Sequence, residues 1–181
     1  PDVSGFAVGD RVFYAGALAR DGSNAELQRV DARLVGHAPA SLDFAQAAAL
    51  PLTSLTAWES LFEMAHLKAG ERVLVVNGAG GVGSIAIQLA RRAGATVIAT
   101  ASRPATVAWV RELGAHGVVS HREPLGPQLA PWGAPDLIVC CHPIDAYLAP
   151  LTELAAPRAR IVAMVPPSRP LDVAPMQAKA L

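Results

Sequence analysis

Val73-Leu-Val-Val-Asn-Gly-Ala-Gly-Gly-Val-Gly-Ser-Ile-Ala-Ile-Gln-Leu-Ala-Arg-Arg-Ala-Gly-Ala-Thr-Val-Ile-Ala-Thr100 decides how this chain folds. Val73 to Val76 is a short apolar run, as a strand covered on both faces of a parallel sheet requires. Gly78, Gly80 and Gly83 follow at G-x-G-x-x-G spacing. The pattern then predicts a helix over Ser84 to Ala93, with Ile85, Leu89 and Ala93 on its packed face, and a second strand over Thr96 to Thr100. In such a unit the first glycine permits the turn, the second lets the backbone approach a pyrophosphate, and the third lets helix and strand pack closely. The phosphates would sit on unpaired amides at the helix N-terminus, so Gly78, Gly80, Gly81, Val82 and Gly83 are the cofactor-binding candidates. Spacing alone also fits a structural turn without ligand. The flanking strand and helix patterns argue for the dinucleotide.

Outward from that unit, strand and helix alternate. Pro104 to Leu113 reads as a helix with Val107, Val110 and Leu113 inward, and His116 to Val119 as a third strand. Residues 122 to 135 hold four prolines and read as loop with at most one short helical turn. A strand at Asp136 to Cys141, a helix from Ile144 to Ala155 and a strand from Arg160 to Val165 follow, then a proline-rich, open tail. Right-handed crossovers place these five strands in one parallel sheet.

Before Glu71 the pattern differs. Arg11 to Tyr14 and Ala25 to Val30 read as short strands around a polar turn at Asp21 to Asn24. Ser41 reads as the cap of a short helix with Asp43 in its first turn and Phe44, Ala47 and Ala48 on its apolar face. Pro51 separates it from a helix over Thr53 to Leu67, in which Leu55, Trp58, Leu61 and Phe62 lie near one side, Trp58 reads as core, and Gly70 is the C′ residue.

The 181 residues suffice for one sizeable core and a second small unit. Apolar residues make up 52% and charged residues 17%, the latter below the roughly 25% of ordinary domains, which suits a chain that buries part of its outside against another domain or subunit. Fifteen Lys and Arg balance fifteen Asp and Glu, so net charge attracts neither nucleic acid nor anionic membrane. Cys140 and Cys141, the two cysteines, are adjacent on a predicted strand and point to opposite faces, which suits neither a framework disulfide nor a shared metal site. A reducing, cytoplasmic compartment is expected. No stretch reaches the length of a transmembrane helix. An opening at Pro1 without methionine and an end at Lys179-Ala-Leu181 read as a piece of a longer protein.

Gly9-Asp-Arg-Val-Phe-Tyr14, Gly22-Ser-Asn-Ala-Glu26, Ala47-Ala-Ala-Leu-Pro-Leu-Thr-Ser-Leu-Thr-Ala-Trp58, Leu67-Lys-Ala-Gly-Glu-Arg-Val-Leu-Val75 with the glycine turn, Ala99-Thr-Ala-Ser-Arg-Pro104 and Glu112-Leu-Gly-Ala-His116 resemble the medium-chain dehydrogenase/reductase superfamily. Within it the chain is similar to the zinc-independent quinone oxidoreductases related to zeta-crystallin and to zinc-type alcohol dehydrogenase-like proteins. The resemblance implies an α/β fold, a Rossmann-type parallel sheet with helices on both faces, preceded by a remnant of a GroES-like barrel. Residues 1–40 would end the catalytic domain, 41–70 would be linking helices, and 71–181 an incomplete nucleotide-binding domain. It also implies a cleft for a small-molecule substrate and pairing into a homodimer.

A carboxylate for the ribose 2′-OH is expected about twenty residues past the glycines in an NAD site. Ala99-Thr-Ala-Ser-Arg103 has none, while Ser102 and Arg103 offer a hydroxyl and a fixed cation to a 2′-phosphate. NADP(H) is therefore expected over NAD(H). Arg122 or His121 is placed at the adenine edge, and Val165, closing the fifth strand, joins the cofactor contacts. By resemblance Thr56 lies near the nicotinamide or its ribose, and Tyr14 and Asn24 face the substrate, where a phenol and an amide can donate to a carbonyl oxygen. Structural alternatives are a packed strand aromatic for Tyr14 and a turn residue for Asn24. Zinc-dependent relatives carry a cysteine ligand where Leu52 stands, so no metal is expected. The reaction implied is hydride transfer from NADPH to a quinone or α,β-unsaturated carbonyl. The alternatives are a dinucleotide-binding module without turnover, a zinc-type alcohol dehydrogenase, or an enoyl reductase module of a larger synthase.

Overall fold

The structure, a computed structural model, describes residues 3–181. It divides into two compact units, 1–55 and 56–181.

In the first unit β1 (Val12–Phe13) pairs antiparallel with β2 (Gly36–His37). Two strands of two residues close no barrel, and the sheets among the described residues contain no GroES-like closure. The strand expected over Ala25 to Val30 is absent. Side chains hold that segment instead of a ladder: Gln28 bonds the carbonyl of Asp21 and the hydroxyl of Tyr14, and Asp31 caps a 3-10 turn at Ala32–Leu34. The cap of α1 (Phe44–Ala48) is Asp43, not Ser41. Its carboxylate accepts from the Gln46 N–H at 2.7 Å while the Gln46 side chain accepts from the Asp43 N–H at 3.1 Å, a reciprocal capping box. Phe44 is exposed, with the Arg11 guanidinium 4.5 Å over its ring, and Ala47 alone of the expected face is buried.

Pro51 opens α2 (Pro51–Trp58), because proline fits a first helical turn whose N–H has no partner anyway. The helix continues as a π-helical stretch, Glu59–Met64, and ends before Leu67. His66, at φ 49°, takes the left-handed position after the cap Ala65, whereas Gly70, at φ 85°, lies in the next turn with its N–H on the Gly94 carbonyl.

The second unit is built on five parallel strands: β3 (Arg72–Val76), β4 (Thr96–Thr100), β5 (Gly117–Val119), β6 (Leu137–Cys140) and β7 (Arg160–Ala163). Their spatial order is β5-β4-β3-β6-β7, or 3-2-1-4-5 counted within the sheet. Strand residues alternate between two apolar layers. Val73, Val75, Val97, Ala99, Leu137 and Val139 face one, with Ala86, Ile87 and Ala90 of α3 (Gly81–Arg92) and Val110 of α4 (Pro104–Glu112). Leu74, Val76, Ile98, Ile138 and Cys140 face the other, with Leu129 of α5 (Leu125–Leu129) and Leu148 and Leu151 of α6 (Leu148–Leu154). Helices thus flank both faces, and the central strands β3, β4 and β6 are buried along almost their whole length, as apolar parallel strands covered on both sides are.

Residues 122 to 135 hold more helix than one turn, since α5 runs into a 3-10 turn at Ala130–Trp132. Ile144–Ala146 is a separate 3-10 turn ahead of α6. The tail is docked rather than open: α7 (Ala174–Gln177) precedes Lys179, whose carbonyl accepts from the Arg158 N–H at 2.7 Å and whose ammonium donates to the Ala155 carbonyl at 2.9 Å.

Small residues make up most of the buried helix faces, with Leu61 and Ile87 the large members. Trp58 is 50% exposed, its ring tilted against Phe62 with centroids 4.5 Å apart, and Leu55 is also exposed, while Ala57, Leu61 and Ala65 are buried. On α3 the buried residues are Gly83, Ser84, Ala86, Ile87 and Ala90, with Ile85 and Leu89 only packed at the side. Close packing of a helix on a sheet favours small side chains over much of the contact.

The N-terminal edge of the sheet is tied by two bidentate ion pairs. Arg72 donates from Nε and from its second amino group to Asp136, each at 2.9 Å, and Arg160 donates to both Glu71 oxygens at 2.7 and 3.0 Å. The Arg72 hydrogen bond holds the Asp136 carboxyl below its usual value, although burial opposes it. Burial pushes Glu71 up, but Arg160 and the Lys68 N–H outweigh it and the carboxyl lies below normal.

Candidate cofactor site

At the opposite, C-terminal edge, β3 runs into Asn77, which adopts φ 59°. Its N–H donates to Thr100 Oγ1 at 2.8 Å, its amide Nδ2 to the Cys141 carbonyl at 3.2 Å, and its own carbonyl accepts from Gly80 N–H at 3.1 Å. One residue thereby bridges the ends of β4, β3 and β6. The left-handed position of the turn is Asn77 and not Gly78. Asparagine tolerates that conformation better than other side-chain-bearing residues, and Asn-Gly is a turn signal that points to it in the sequence.

The glycines act by close approach. A Cβ on Gly78 would lie 2.8 Å from the Ala99 Cβ of the neighbouring strand. A Cβ on Gly83 would collide with the Asn77 carbonyl oxygen and lie 2.8 Å from Gly78 Cα, both backbone. With Gly80 as N-cap, α3 begins three residues earlier than the sequence pattern predicts. Gly81, Val82 and Gly83 thus form its first turn, whose N–H groups have no intrahelical acceptor, and the twelve-residue helix adds the positive end of its dipole. Beside this turn a cleft of about 200 Å³ is lined by Val76, Asn77, Thr100, His121, His142 and Tyr147. It lies where the strand order reverses, between β3 and its neighbours β4 and β6, the crevice in which open α/β sheets hold ligands. The residues present therefore fit a dinucleotide.

Of the remaining candidates, Ser102 and Arg103 follow β4. Ser102 Oγ lies 3.4 Å from His121 Nε2, which brings the loop after β5, with exposed Arg122, beside them. Arg103 caps α4 through its backbone and Thr106, and it is exposed. Val165 lies beyond the end of β7 and lines a different, apolar cleft with Leu148, Leu171 and Met176. Thr56 is half-buried on α2.

In the first unit, Tyr14 lines a cleft of about 400 Å³ with Gly22, Ser23 and Leu52. Its hydroxyl donates to Gln28 Oε1 at 2.6 Å. Asn24 is exposed and outside the cleft lining.

Cys140, His142 and Asp145 form no relay. The Cys140 thiol donates to the His142 carbonyl at 3.2 Å, and Asp145 accepts from Ser168 N–H and Oγ at 2.9 and 3.0 Å. Burial pushes both thiols up, Cys141 to about 12, so neither is a thiolate near neutral pH. Among the described residues no three His, Cys, Asp or Glu side chains converge as metal ligands, and Leu52, where the resemblance places a ligand, cannot coordinate zinc. No helix among them is long and apolar enough to cross a membrane.

Comparison with known proteins agrees with this geometry. The profile of the family described as zinc-binding dehydrogenase matches residues 81–178, more than half of the chain. The chain belongs to that family, within the medium-chain dehydrogenase/reductase superfamily. A zinc-type alcohol dehydrogenase-like protein of Staphylococcus aureus is 40% identical over 187 aligned positions, covering all of this chain and 56% of that protein. A crystal structure from Rhizobium etli, named as a candidate zinc-dependent alcohol dehydrogenase, superposes with a TM-score of 0.93 at 47% identity over 99% of this chain and 55% of that one. The quinone oxidoreductase of Thermus thermophilus, solved also with NADPH, gives a TM-score of 0.74 at 30% identity over 83% and 49%. The chain thus spans about half the length of the relatives it matches.

Proposed function

We propose that this chain carries the cofactor half of a zinc-independent, NADPH-dependent oxidoreductase that reduces a quinone or an α,β-unsaturated carbonyl compound. The observation that carries the reading is the glycine turn on the first turn of α3 at the reversal of strand order, with Ser102 and Arg103 and no carboxylate at the end of β4. The dinucleotide, once bound, supplies the hydride. The chain's own residues bind and orient it. The free N–H groups of Gly81, Val82 and Gly83 take the pyrophosphate, and Asn77 holds the turn rigid. Arg103 supplies a permanent charge for a 2′-phosphate that an acidic residue would repel, with Arg122 nearby on the loop after β5. Thr56 serves the nicotinamide side, and Tyr14 and Asn24 the substrate side. Positioning supplies much of the rate in such a reaction.

The test is titration of the chain with NADPH and NADH by calorimetry, followed by assay of the longer protein with quinones and enals. Tighter binding of NADH rejects the 2′-phosphate assignment. Absence of binding by either dinucleotide rejects the reading as a whole.

A further inference from the structure

In the cleft of the first unit the Tyr14 hydroxyl has a fixed hydrogen-bond polarity, although Arg20 and Ser23 line the same cleft. Gln28 reaches two oxygens, the Tyr14 hydroxyl at 2.6 Å and the Asp21 carbonyl at 2.6 Å. A carbonyl only accepts, so the amide atom facing Asp21 must be the NH₂ group. The atom facing Tyr14 is then the amide oxygen, which also only accepts. The Tyr14 proton is therefore committed to Gln28, and what the phenol has left for a ligand is its lone pairs. This order follows from the two partners alone, whichever way the amide is first drawn.

We infer that Gln28 sets the polarity of Tyr14 so that the cleft presents an acceptor oxygen, and selects ligands that bring a hydroxyl donor. In the quinone reduction of the proposed function, on which this inference rests for the identity of its ligands, that is the reduced member: the hydroquinone rather than the quinone. Leu18 and Leu52 supply the apolar part of the lining, and Ser23 a second hydroxyl. Gln28 is half-buried, and it acts as a positioning residue through Tyr14. A ketone can reach a donor on Tyr14 only by breaking the 2.6 Å bond, which leaves the Gln28 oxygen without its partner.

The probe pair is 1-phenylethanol and acetophenone, which differ by the donor and do not turn over without dinucleotide. Affinities for the 181-residue chain are measured by nuclear magnetic resonance titration. The wild type is expected to bind the alcohol about threefold to tenfold more tightly, the worth of one neutral hydrogen bond. Tyr14→Phe should abolish the preference by weakening the alcohol alone. Gln28→Met, which keeps the length of the side chain and frees the phenol proton, should move the preference towards the ketone. Equal or tighter ketone binding by the wild type overturns the inference, as does an unchanged preference in a folded Gln28→Met, or binding of neither probe at millimolar concentration. The wild-type comparison depends on no variant folding. NADPH titration of the same samples separates the two proposals, since a wild type that binds the dinucleotide but shows no alcohol preference rejects the Gln28 assignment alone.

Discussion

The two ends of the parallel sheet are made of different chemistry. At the N-terminal edge Glu71, Arg72, Asp136 and Arg160 form paired, bidentate contacts that use their charges on one another. At the C-terminal edge the polar groups are backbone amides at the start of α3 and side chains around a cleft. The same strands thus end once in bidentate ion pairs and once in helix N–H groups that have no intrahelical acceptor. Stability and binding are assigned to opposite ends, and changes at one end should leave the other's property untouched.

The hardest test of that division is Gly83→Ala, because Gly83 belongs to both properties. A methyl there meets backbone that cannot step aside. A loss of about 3 kcal/mol, the upper range for overpacking, and loss of dinucleotide binding are expected in urea unfolding and calorimetric titration. Arg103→Glu should separate the properties. With the unfolding midpoint unchanged, NADPH affinity should fall by about tenfold to hundredfold, the worth of a charge-assisted contact, and NADH affinity far less. An equal loss for both dinucleotides would place Arg103 away from the 2′-phosphate.

Asp136→Asn is the mirror case: a loss of about 1–2 kcal/mol, reduced from the full value of charged hydrogen bonds because the pair is about one-third exposed, with NADPH affinity retained. The Asp136 carboxyl is held below its unfolded value near 3.8, so its stabilisation is present above that pH and is lost as pH falls through the folded value. Acid unfolding of the variant should lack this component. The smallest effect belongs to His116, whose Nδ1 accepts from the Val97 N–H at 3.0 Å. Burial and then Arg91 keep its pKa below 6.5, so its contribution is full above about pH 6.5 and declines as pH drops towards the folded value. His116→Gln should flatten the stability difference between pH 7.5 and 5.5 by less than about 1 kcal/mol.

Much of the second unit could be read from the chain. Five apolar runs became the five strands, since buried parallel strands need no alternation and so announce themselves. The glycine spacing marked the turn correctly, yet missed Asn77, which carries its left-handed conformation. Helix faces were misjudged at Trp58 and at Ile85 and Leu89 because several apolar stripes recur with the same helical period, and only packing in the fold chose the one that carries Ala57 and Leu61 on one helix and Ala86, Ile87 and Ala90 on the other. The first unit was less legible. Ala25 to Val30 has strand composition, but side-chain bonds from Gln28 compete with ladder pairing there.

By itself, the sequence determined the parallel sheet, its glycine turn and the missing carboxylate after β4, because these depend on local spacing and residue type. Only the tertiary structure decided that Asn77 spans three strand ends, that desolvation pushes both thiols up, and that the Tyr14 proton points at Gln28. Each of these depends on groups far apart in the chain being brought within hydrogen-bond reach, and hydrogen bonds and desolvation act over distances that sequence separation does not reveal.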